Sequence, residues 1–427
     1  MFVHKLKKNQ AIIYLLICYL ALNIWFLIAN PGSVFNQPER FGEAISTYGS
    51  RDGSLYARMA WQLIKEGVYG YNLAGSNAYV TPGQPFYLAA IFLASEWLHT
   101  NHVMLFRLAN MILNISNVFL VYLIGLQLFQ RRWIGVLAAF MYSTHIAYLH
   151  YFRTALTEIP SIFFFLLSIV LFIFALRSKG WVMHALFGIS ASVMLMFRPT
   201  PAPILLFAWA ITWREMGFKQ AVKIGLIWCI GPVLIMCPWV IRNLMQFGHA
   251  YLFSSHAGSP LLLGTDPFFL NEDGNLVQKA RSMGMSLQDY GEKRIVDGFG
   301  SDFPLYFSWF TIGKTVWLFM DQFARPDGFG PYLQDFPKGV LGFFKWQNLF
   351  IVITSLIYAL VFRKRKGVNV LGAVVLFYIL LSDIFLTIPR YGLLILPVMA
   401  IISAYGMVET FIWLRVKFAK SSHENPS

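Results

Sequence analysis

Residues 157–177 read TEIPSIFFFLLSIVLFIFALR, and this stretch by itself marks a membrane protein. From Ile159 to Leu176 the chain carries no charged side chain, which is about the length that a helix needs to cross the apolar core of a bilayer. Pro160 fits the first turn of a helix, and Glu158 stands at the helix start, where the helix dipole favours an anion. The stretch therefore predicts a membrane-spanning helix with an acidic first turn.

The composition of the whole chain agrees with this prediction. Of its 427 residues, 57% are hydrophobic and 13% are charged, whereas water-soluble proteins average about 45–50% and about 25%. The same numbers exclude disordered, collagen-like and disulfide-stapled chains. Cys18, Cys229 and Cys237 all lie in apolar runs, so their spacing indicates neither a disulfide framework nor a zinc site.

Ten apolar runs predict an all-α polytopic membrane protein with about ten transmembrane helices. The runs begin near Ala11, Val103, Trp133, Ile159, Trp181, Thr200, Ala221, Gln347, Val368 and Tyr391. The first run follows three lysines, as a signal peptide does, but it continues to Ala29 without a cleavage site of small residues. We therefore expect it to be retained as the first helix.

Basic residues predict how these helices are oriented. With ten spans, the short loops of one face hold 17 of the 34 basic residues and only two acids. The basic residues of this face are Lys5, Lys7, Lys8, Arg131, Arg132, Arg177, Lys179, Arg214, Lys219, Lys223, Arg363, Lys364, Arg365, Lys366, Arg415, Lys417 and Lys420. The positive-inside bias makes this face cytoplasmic, with both termini on it. The net charge of +14 therefore reports topology and argues against a nucleic-acid-binding protein.

Two large segments fall on the opposite, outer face, so we expect the protein to act there. The predicted organisation has five parts: residues 1–30 (cytoplasmic N-terminus and first span), 31–102 (first outer segment), 103–246 (six-span core), 247–345 (second outer segment) and 346–427 (three C-terminal spans and cytoplasmic tail). Residues 84–98 and 305–320 are predicted to lie as helices in the outer interface, with the charges of Glu96 and Lys314 in water.

Two acidic residues of the outer face are candidates for catalysis. Asp52 stands at the start of a helix that the apolar spacing after it predicts and that Gly67 can end. It fits either an N-cap, which accepts hydrogen bonds from backbone N–H groups, or a general base that takes a proton from a hydroxyl. Glu158 fits either a stabilising charge at a helix start or a functional carboxylate.

Three arginines begin or end predicted spans on the same face: Arg198, Arg242 and Arg390. Each of them alone fits a side chain that extends toward the lipid headgroups. Together with two carboxylates at one membrane level, they fit the recognition of a lipid that carries a phosphate.

The chain resembles the bacterial GT-C glycosyltransferases of the dolichyl-phosphate-mannose–protein mannosyltransferase type, which include the aminoarabinose transferase of lipid A. The stretches that carry the resemblance are Arg51-Asp52-Gly-Ser-Leu-Tyr56, Thr81-Pro-Gly-Gln-Pro-Phe-Tyr87, Thr157-Glu-Ile-Pro160, Phe197-Arg-Pro199, Pro238-Trp-Val-Ile-Arg-Asn243, Phe247-Gly248, Gly258 to Gly264, and Arg390-Tyr391 with Pro397. It covers residues 11–264 well and the final spans more loosely. No single stretch is diagnostic, but their order and spacing are together fairly specific.

This resemblance implies a multi-pass enzyme of the inner membrane that moves a sugar from a polyprenyl-phosphate donor to an acceptor hydroxyl on the periplasmic side. The family's catalytic base is an acid in the first outer loop, and Asp52 is the matching position. Glu158 matches an acid that the family often carries in its second outer loop. Many relatives have two adjacent acids where this chain has Arg51-Asp52-Gly53, which leaves open whether a divalent metal takes part.

The chemistry of such a donor assigns roles to these residues. Its anomeric C–O bond breaks, so the leaving phosphate gains negative charge that cations stabilise. We expect Asp52 to be the base, Glu158 to orient the acceptor, the sugar or Asp52, and direct displacement to invert the anomeric centre. The expected substrate-binding residues are Arg51, Tyr56, Arg198, Arg242, Asn243, Arg390 and Tyr391. The polyprenyl chain fits an apolar groove between spans, for example along 162–174, and the acceptor is a glycan, a lipid or a protein.

Two other functions suit a polytopic chain of this kind. One is an O-antigen-ligase-like transferase of lipid-linked polymers, and the other is a lipid or solute transporter. A secondary transporter places polar groups near the bilayer midplane and often has a repeated half. Asn114 and Asn117 form the one polar cluster within a span, and the sequence has no half-chain repeat, so sugar transfer is favoured over transport.

Overall fold

A computed structural model describes residues 10–29, 45–71, 75–178, 180–256, 258–270, 275–320 and 338–424. All regular secondary structure in the described part is helical, with no β-strand, which confirms the all-α prediction. Of the basic residues predicted on the inner face, Lys5, Lys7, Lys8 and Lys179 lie outside the described residues.

The first half of the chain forms the helices that carry the first outer segment and the core. They are α1 Gln10–Ala29, α2 Ile45–Tyr48, α3 Arg51–Glu66, α4 Gly83–Trp97, α5 His102–Phe129, α6 Arg132–Ser143, α7 Ile146–Tyr151, α8 Glu158–Arg177, α9 Trp181–Phe197, α10 Pro203–Met216, α11 Phe218–Trp228 and α12 Cys237–Phe247. A π-helical turn, Pro232–Met236, lies between α11 and α12.

The second half forms the second outer segment and the last spans. Its helices are α13 Gly258–Leu263, α14 Leu276–Ser282, α15 Leu287–Ser301, α16 Phe303–Ser308, α17 Lys314–Leu318, α18 Lys338–Val361, α19 Lys366–Ile384 and α20 Leu396–Glu424. Short turns of other helical type are Pro267–Phe269, Trp309–Gly313 and Pro389–Leu394. The last of these leads directly into α20.

A helix lies at each of the ten predicted span positions, but the helices differ in length. Among the described residues, seven are long and apolar enough to cross a bilayer: Gln10–Ala29, His102–Phe129, Glu158–Arg177, Phe218–Phe247, Gly342–Val361, Lys366–Ile384 and Leu396–Lys417. The remaining three, α6, α9 and α10, have 12, 17 and 14 residues. The multi-pass membrane fold is therefore established, and the count of ten spans stays a prediction.

The mid-span asparagines hold the core helices together. Asn114 is fully buried and donates hydrogen bonds to the Tyr19 hydroxyl (2.8 Å) and to Asn23 Oδ1 (3.1 Å), both in α1. Asn117 donates to the Tyr142 hydroxyl of α6 at 3.2 Å. Because these amides bond across helices, they contribute to packing between spans.

Contacts between loops sort the helix ends into two sets. Arg131 pairs with Glu409 at 2.7 Å, Arg177 donates to the backbone of Gln127, and Lys366 pairs with Glu215. Apart from Gln127, which lies in the last turn of α5, these residues come from loops and helix ends predicted to be cytoplasmic. The first and second outer segments meet at the other end of the bundle, where the Ser255 N–H donates to the Ala78 carbonyl at 2.7 Å.

Helices are present at both positions that are predicted to be interfacial, but one charge is placed differently. Residues 303–318 form an almost continuous helix, and Lys314 in it is fully buried. The prediction that this charge faces water is wrong, because Lys314 Nζ donates to the carbonyls of Asp383 (2.8 Å) and Phe385 (3.1 Å). Burial lowers the pKa of Lys314 to about 7, although the charge of Asp383 acts in the opposite direction. Lys314 thus attaches the second outer segment to the end of α19.

The sorting of helix ends can be tested by cysteine labelling. In a cysteine-free background, Thr100→Cys and Lys364→Cys place single thiols in exposed turns at opposite ends of the bundle. If the positive-inside bias sets the orientation, a membrane-impermeant maleimide added to intact spheroplasts labels Thr100→Cys and leaves Lys364→Cys unlabelled until the membrane is opened. Labelling of Lys364→Cys in intact spheroplasts would contradict the predicted orientation.

Candidate active site

Asp52 occupies the first turn of α3 without capping it. The N-cap is Ser50, whose hydroxyl accepts a hydrogen bond from the Gly53 N–H at 2.9 Å. Gly67 ends the helix in the left-handed conformation at φ 66°, as the sequence predicted. The N-cap interpretation of Asp52 is therefore wrong, and its carboxylate is left for tertiary contacts.

A close backbone approach brings the start of α3 against the segment that precedes α8. Gly49 has φ +83°, and a Cβ there would lie 2.5 Å from a carbon of the Thr154 side chain. Next to it, the Ala155 N–H donates to the Tyr48 carbonyl at 2.9 Å. Only glycine fits both this space and this backbone conformation. Asp52 and Glu158 therefore come from segments that pack directly on each other.

Four charged side chains form a continuous ion-pair cluster at this junction. Arg390 Nη2 lies 2.7 Å from Asp52 Oδ2, and Arg390 Nε lies 3.7 Å from Glu158 Oε1. Arg198 Nη2 lies 2.6 Å from the same Glu158 oxygen, and Arg198 Nε donates to the Thr157 hydroxyl at 2.8 Å. The structure thus joins both predicted carboxylates to two of the three predicted arginines.

The exposed fraction of the four side chains decreases from Asp52 to Glu158. The side chain of Asp52 is 36% exposed, those of Arg390 and Arg198 are 17% and 13% exposed, and that of Glu158 is 3% exposed. A ligand from outside therefore meets Asp52 first and Glu158 last.

Electrostatics keep the outermost carboxylate ionised. Burial acts to raise the pKa of the Asp52 carboxyl, but the Arg390 charge and hydrogen bonds from Arg390 and Tyr71 outweigh it and hold this pKa below its usual value. Burial likewise acts to lower the pKa of Arg390, and the charges of Asp52 and Glu158 reverse that effect. The cluster contains two carboxylates and two guanidiniums, so its formal charges cancel.

Tyrosines surround the cluster. The Tyr71 hydroxyl donates to Asp52 Oδ1 at 3.2 Å, so both oxygens of this carboxylate accept a hydrogen bond. The Tyr71 ring lies between Tyr56 (5.9 Å between centroids) and Tyr79 (5.3 Å, nearly parallel). Arg198 faces the Tyr391 ring at 4.8 Å. Tyr56 and Tyr391 therefore lie at the predicted site, whereas Arg51 is an exposed neighbour of Asp52 on α3.

Arg242 and Asn243 have a different environment. Arg242 donates to the Asn77 carbonyl at 3.0 Å and to Asn243 Oδ1 at 2.8 Å, and its guanidinium faces the Tyr69 and Trp239 rings at 5.2 and 5.1 Å. Asn243 in turn donates to the Tyr251 carbonyl. The third predicted arginine thus ties α12 to the first outer segment and makes no direct bond to Asp52 or Glu158.

Arg242 borders an apolar cavity of about 650 Å³. The cavity is lined by residues of α4, α8, α9 and α12, among them Phe86, Phe164, Phe197 and Trp239. None of the four charged residues of the cluster lines the cavity, but two lining residues lie near the cluster. Phe197 immediately precedes Arg198, and Tyr69 lies within electrostatic range of Tyr56. Of the stretch 162–174 predicted to hold a lipid chain, only Phe164 lines it; most of the other side chains there are buried in the helix packing.

Sequence reasoning missed Tyr71, the second partner of Asp52. It lies in an irregular segment between α3 and α4, where no periodic pattern marks it. The only available signal was the local density of tyrosines, at Tyr69, Tyr71 and Tyr79.

The cluster does not fit a divalent metal. Within the described ranges, no three His, Cys, Asp or Glu side chains are placed together as metal ligands. The two nearby carboxylates, those of Asp52 and Glu158, are each bonded to a guanidinium, and Arg390 bridges the space between them. A cation there would meet the positive charge of Arg390, so no catalytic step is routed through a metal.

Comparison with solved structures identifies the fold. The chain is similar to the oligosaccharyltransferase AglB of Archaeoglobus fulgidus in complex with an inhibitory peptide and a dolichol-phosphate, with a TM-score of 0.54, 16% identity and coverage of 99% of this chain and 52% of that one. It is equally similar to the same enzyme tethered to an acceptor peptide (TM-score 0.54, 17% identity, 96% and 51%) and to its apo form (0.54, 15%, 98% and 52%). The chain therefore spans about half the length of these structures and shares their fold.

Sequence comparison identifies the family. No curated protein sequence matches the chain. The family described as dolichyl-phosphate-mannose-protein mannosyltransferase matches residues 17–254, which include Asp52, Glu158, Arg198 and Arg242. This match covers more than half of the 427 residues and agrees with the predicted resemblance. The chain belongs to the dolichyl-phosphate-mannose-protein mannosyltransferase family.

Proposed function

We propose that this chain is a membrane glycosyltransferase that moves a sugar from a polyprenyl-phosphate donor to an acceptor hydroxyl. The observation that carries the proposal is the cluster of Asp52, Arg390, Glu158 and Arg198 beside an apolar cavity. A donor of this class has an apolar chain, a charged phosphate and a polar sugar. The cavity suits the apolar chain, and the charged cluster suits the phosphate and the sugar.

The cavity suits the lipid end of the donor. Its volume of about 650 Å³ lies within the usual range of ligand sites, and aromatic side chains form much of its wall. Burying each CH₂ of a lipid chain contributes about 0.8 kcal/mol. Among the described residues that line the cavity, Arg242 is the one arginine, so we expect it to meet the phosphate as the donor enters. The dolichol-phosphate of the similar archaeal enzyme is a ligand of this chemical class.

The cluster suits the reacting end of the donor. As the anomeric C–O bond breaks, the phosphate takes the electron pair and its negative charge grows. Arg390 and Arg198 stabilise that charge most strongly in the transition state, because they are fixed in a largely buried site. Asp52 takes the proton of the acceptor hydroxyl as its oxygen attacks the anomeric carbon from the opposite side, and the configuration is inverted.

Asp52 becomes available as a base when the donor arrives. While Arg390 pairs with it, the carboxylate is a weak base with a lowered pKa. A donor phosphate competes for the Arg390 guanidinium, which binds phosphate in a bidentate manner as readily as it binds carboxylate. Transfer of Arg390 from Asp52 to the phosphate therefore raises the basicity of Asp52 at the moment when the donor is in place.

The location follows from the charge pattern. The loops that meet at the end of the bundle opposite the cluster carry the basic excess, and basic loops stay in the cytoplasm. We therefore propose that both termini are cytoplasmic and that the cluster lies at the outer face of the inner membrane. Transport is less well supported, because Asn114 and Asn117 are bonded across helices instead of lining a path.

The role of Asp52 can be separated from helix capping. Asp52→Asn keeps an oxygen that accepts from Tyr71 but cannot take a proton at neutral pH. We expect turnover to fall by about 10²–10⁴-fold with a normal yield of folded protein. The measurement is release of undecaprenyl phosphate from the native donor pool in envelope vesicles that contain each variant.

Ser50→Ala is the matched control, since it removes the cap of the same helix and leaves the cluster intact. It should lower stability by about 1 kcal/mol and keep turnover within a few fold of wild type. An Asp52→Asn variant with full turnover would contradict the assignment of Asp52 as base.

The two cluster arginines can be tested in the same assay. Arg390→Ala and Arg198→Ala should each lower kcat by about 10²–10³-fold, and lysine at either position should restore only part of it, because lysine lacks the forked geometry. Arg131→Ala is the matched control, an arginine paired with a glutamate at the other end of the bundle. Since exposed pairs contribute about 0–1 kcal/mol, this control should turn over normally. Normal turnover of both cluster variants would favour the lipid-headgroup interpretation of these arginines.

A further inference from the structure

Several buried polar atoms at the inner side of the cluster are not satisfied. In the described part of the chain, Glu158 Oε2, Arg390 Nε, the Tyr151 hydroxyl and the Ser161 hydroxyl have no hydrogen-bond partner. The residues Glu158, Tyr151 and Ser161 are 3%, 1% and 0% exposed. Buried polar groups without partners are rare, because each costs about 1–3 kcal/mol and more when it is charged.

These atoms belong to residues that lie close to Glu158. Glu158 and Ser161 are three residues apart in α8 and so lie on one face of the helix. Arg390 Nε is 3.7 Å from Glu158 Oε1, and the Tyr151 hydroxyl lies within electrostatic range of Glu158, Arg390 and Arg198. Tyr151 ends α7, just before the segment that leads into α8. Three elements thus present unsatisfied polar atoms around one carboxylate.

The set of atoms selects a chemical class of ligand. Glu158 Oε2 is an acceptor and repels anions, Arg390 Nε is a donor, and the two hydroxyls can do either. A phosphate would satisfy Arg390 but would be repelled by the free carboxylate oxygen. Neighbouring hydroxyl groups, which both donate and accept, satisfy all four atoms. A sugar carries such groups.

We propose that Glu158, Tyr151, Ser161 and Arg390 Nε form the binding site for the hydroxyl groups of the donor sugar, an inference that rests on the proposed glycosyltransferase function. Glu158 accepts from one hydroxyl, and Tyr151 and Ser161 bond to neighbouring ones. Arg390 Nη2 and Nε thereby contact the phosphate side and the sugar side of the same donor. Tyr151 and Ser161 then determine which sugar is accepted.

Entry to this site requires a movement of Arg390. Asp52 is the exposed end of the cluster, and the Arg390 side chain lies between it and Glu158. When Arg390 turns from Asp52 to the donor phosphate, the sugar attached to that phosphate is carried toward Glu158. The sugar site is therefore filled only by a ligand that also brings a phosphate.

The experiment measures the contribution of the sugar to binding. The full chain, purified in nanodiscs, is titrated with undecaprenyl phosphate and with its glucosyl, galactosyl, mannosyl and arabinosyl derivatives. In wild type, at least one glycosylated probe should bind more tightly than undecaprenyl phosphate. Tyr151→Phe and Ser161→Ala should each reduce that gain by about 3–10-fold, and leave the affinity for undecaprenyl phosphate within twofold.

Matched controls lie on the same helices. Ser168→Ala removes a hydroxyl two turns further along α8 that is bonded to Ser190, and Tyr148→Phe removes a hydroxyl of α7 that is bonded to the Leu393 carbonyl. Both variants should lose some stability and keep the full gain from the sugar. A merely structural role of Tyr151 and Ser161 would give the same pattern as these controls.

The outcomes distinguish the two proposals. If wild type fails to bind undecaprenyl phosphate at all, the proposed function is wrong. If it binds undecaprenyl phosphate but no glycosylated probe binds more tightly, or if the gain survives in both Tyr151→Phe and Ser161→Ala, the sugar site is wrong and the proposed function stands.

Discussion

The pair of Asp52 and Arg390 is the contact on which the outer half of this protein depends. It joins the first outer segment to the short turn that leads into the last helix, across 338 positions of the 427-residue chain. Arg390 also approaches Glu158, which belongs to a third element and pairs with Arg198 of a fourth. Four elements therefore meet through two carboxylates and two guanidiniums, and none of these charges is favourable to bury alone.

Charge balance explains how such a site can be both stable and reactive. The two guanidiniums neutralise the two carboxylates, so the buried charges are paired. In the proposed mechanism, the donor phosphate adds negative charge and competes for the arginines, which weakens their bonds to the carboxylates. The same exchange prepares Asp52 to take a proton and uncovers Glu158. Binding of the donor and the release of Asp52 as a base are then the same event.

Much of the fold could be predicted from the sequence, because apolar runs of bilayer length constrain the backbone strongly. The acids and arginines of the site could also be predicted, since they stand at predicted span ends or helix starts on the outer face. Their pairing could not: nothing local in the sequence links Asp52 to Arg390, and only the folded bundle brings them together. The start of α3 was misjudged because Ser50 and Asp52 are both good capping residues two positions apart.

The burial of a polar side chain was equally hard to predict where its hydrogen-bond partners are backbone groups far away in the sequence. Lys314 was expected in water because a charge in an interfacial helix normally faces it, but its partners are carbonyls at the end of α19. Tyr71 and Tyr151 lie in irregular or short elements, where no apolar period indicates which way a side chain points. Sequence patterns identify which residues are unusual, and packing decides which of them act together.

A structure of the full chain with undecaprenyl phosphate tests the central claim most directly, by cryo-electron microscopy in nanodiscs. The account predicts that the lipid chain occupies the cavity lined by Phe86, Phe164 and Trp239 and that the phosphate contacts Arg390 and Arg198. It also predicts that the Arg390 guanidinium has left Asp52. A phosphate bound elsewhere, with the 2.7 Å pair of Asp52 and Arg390 unchanged, would contradict it.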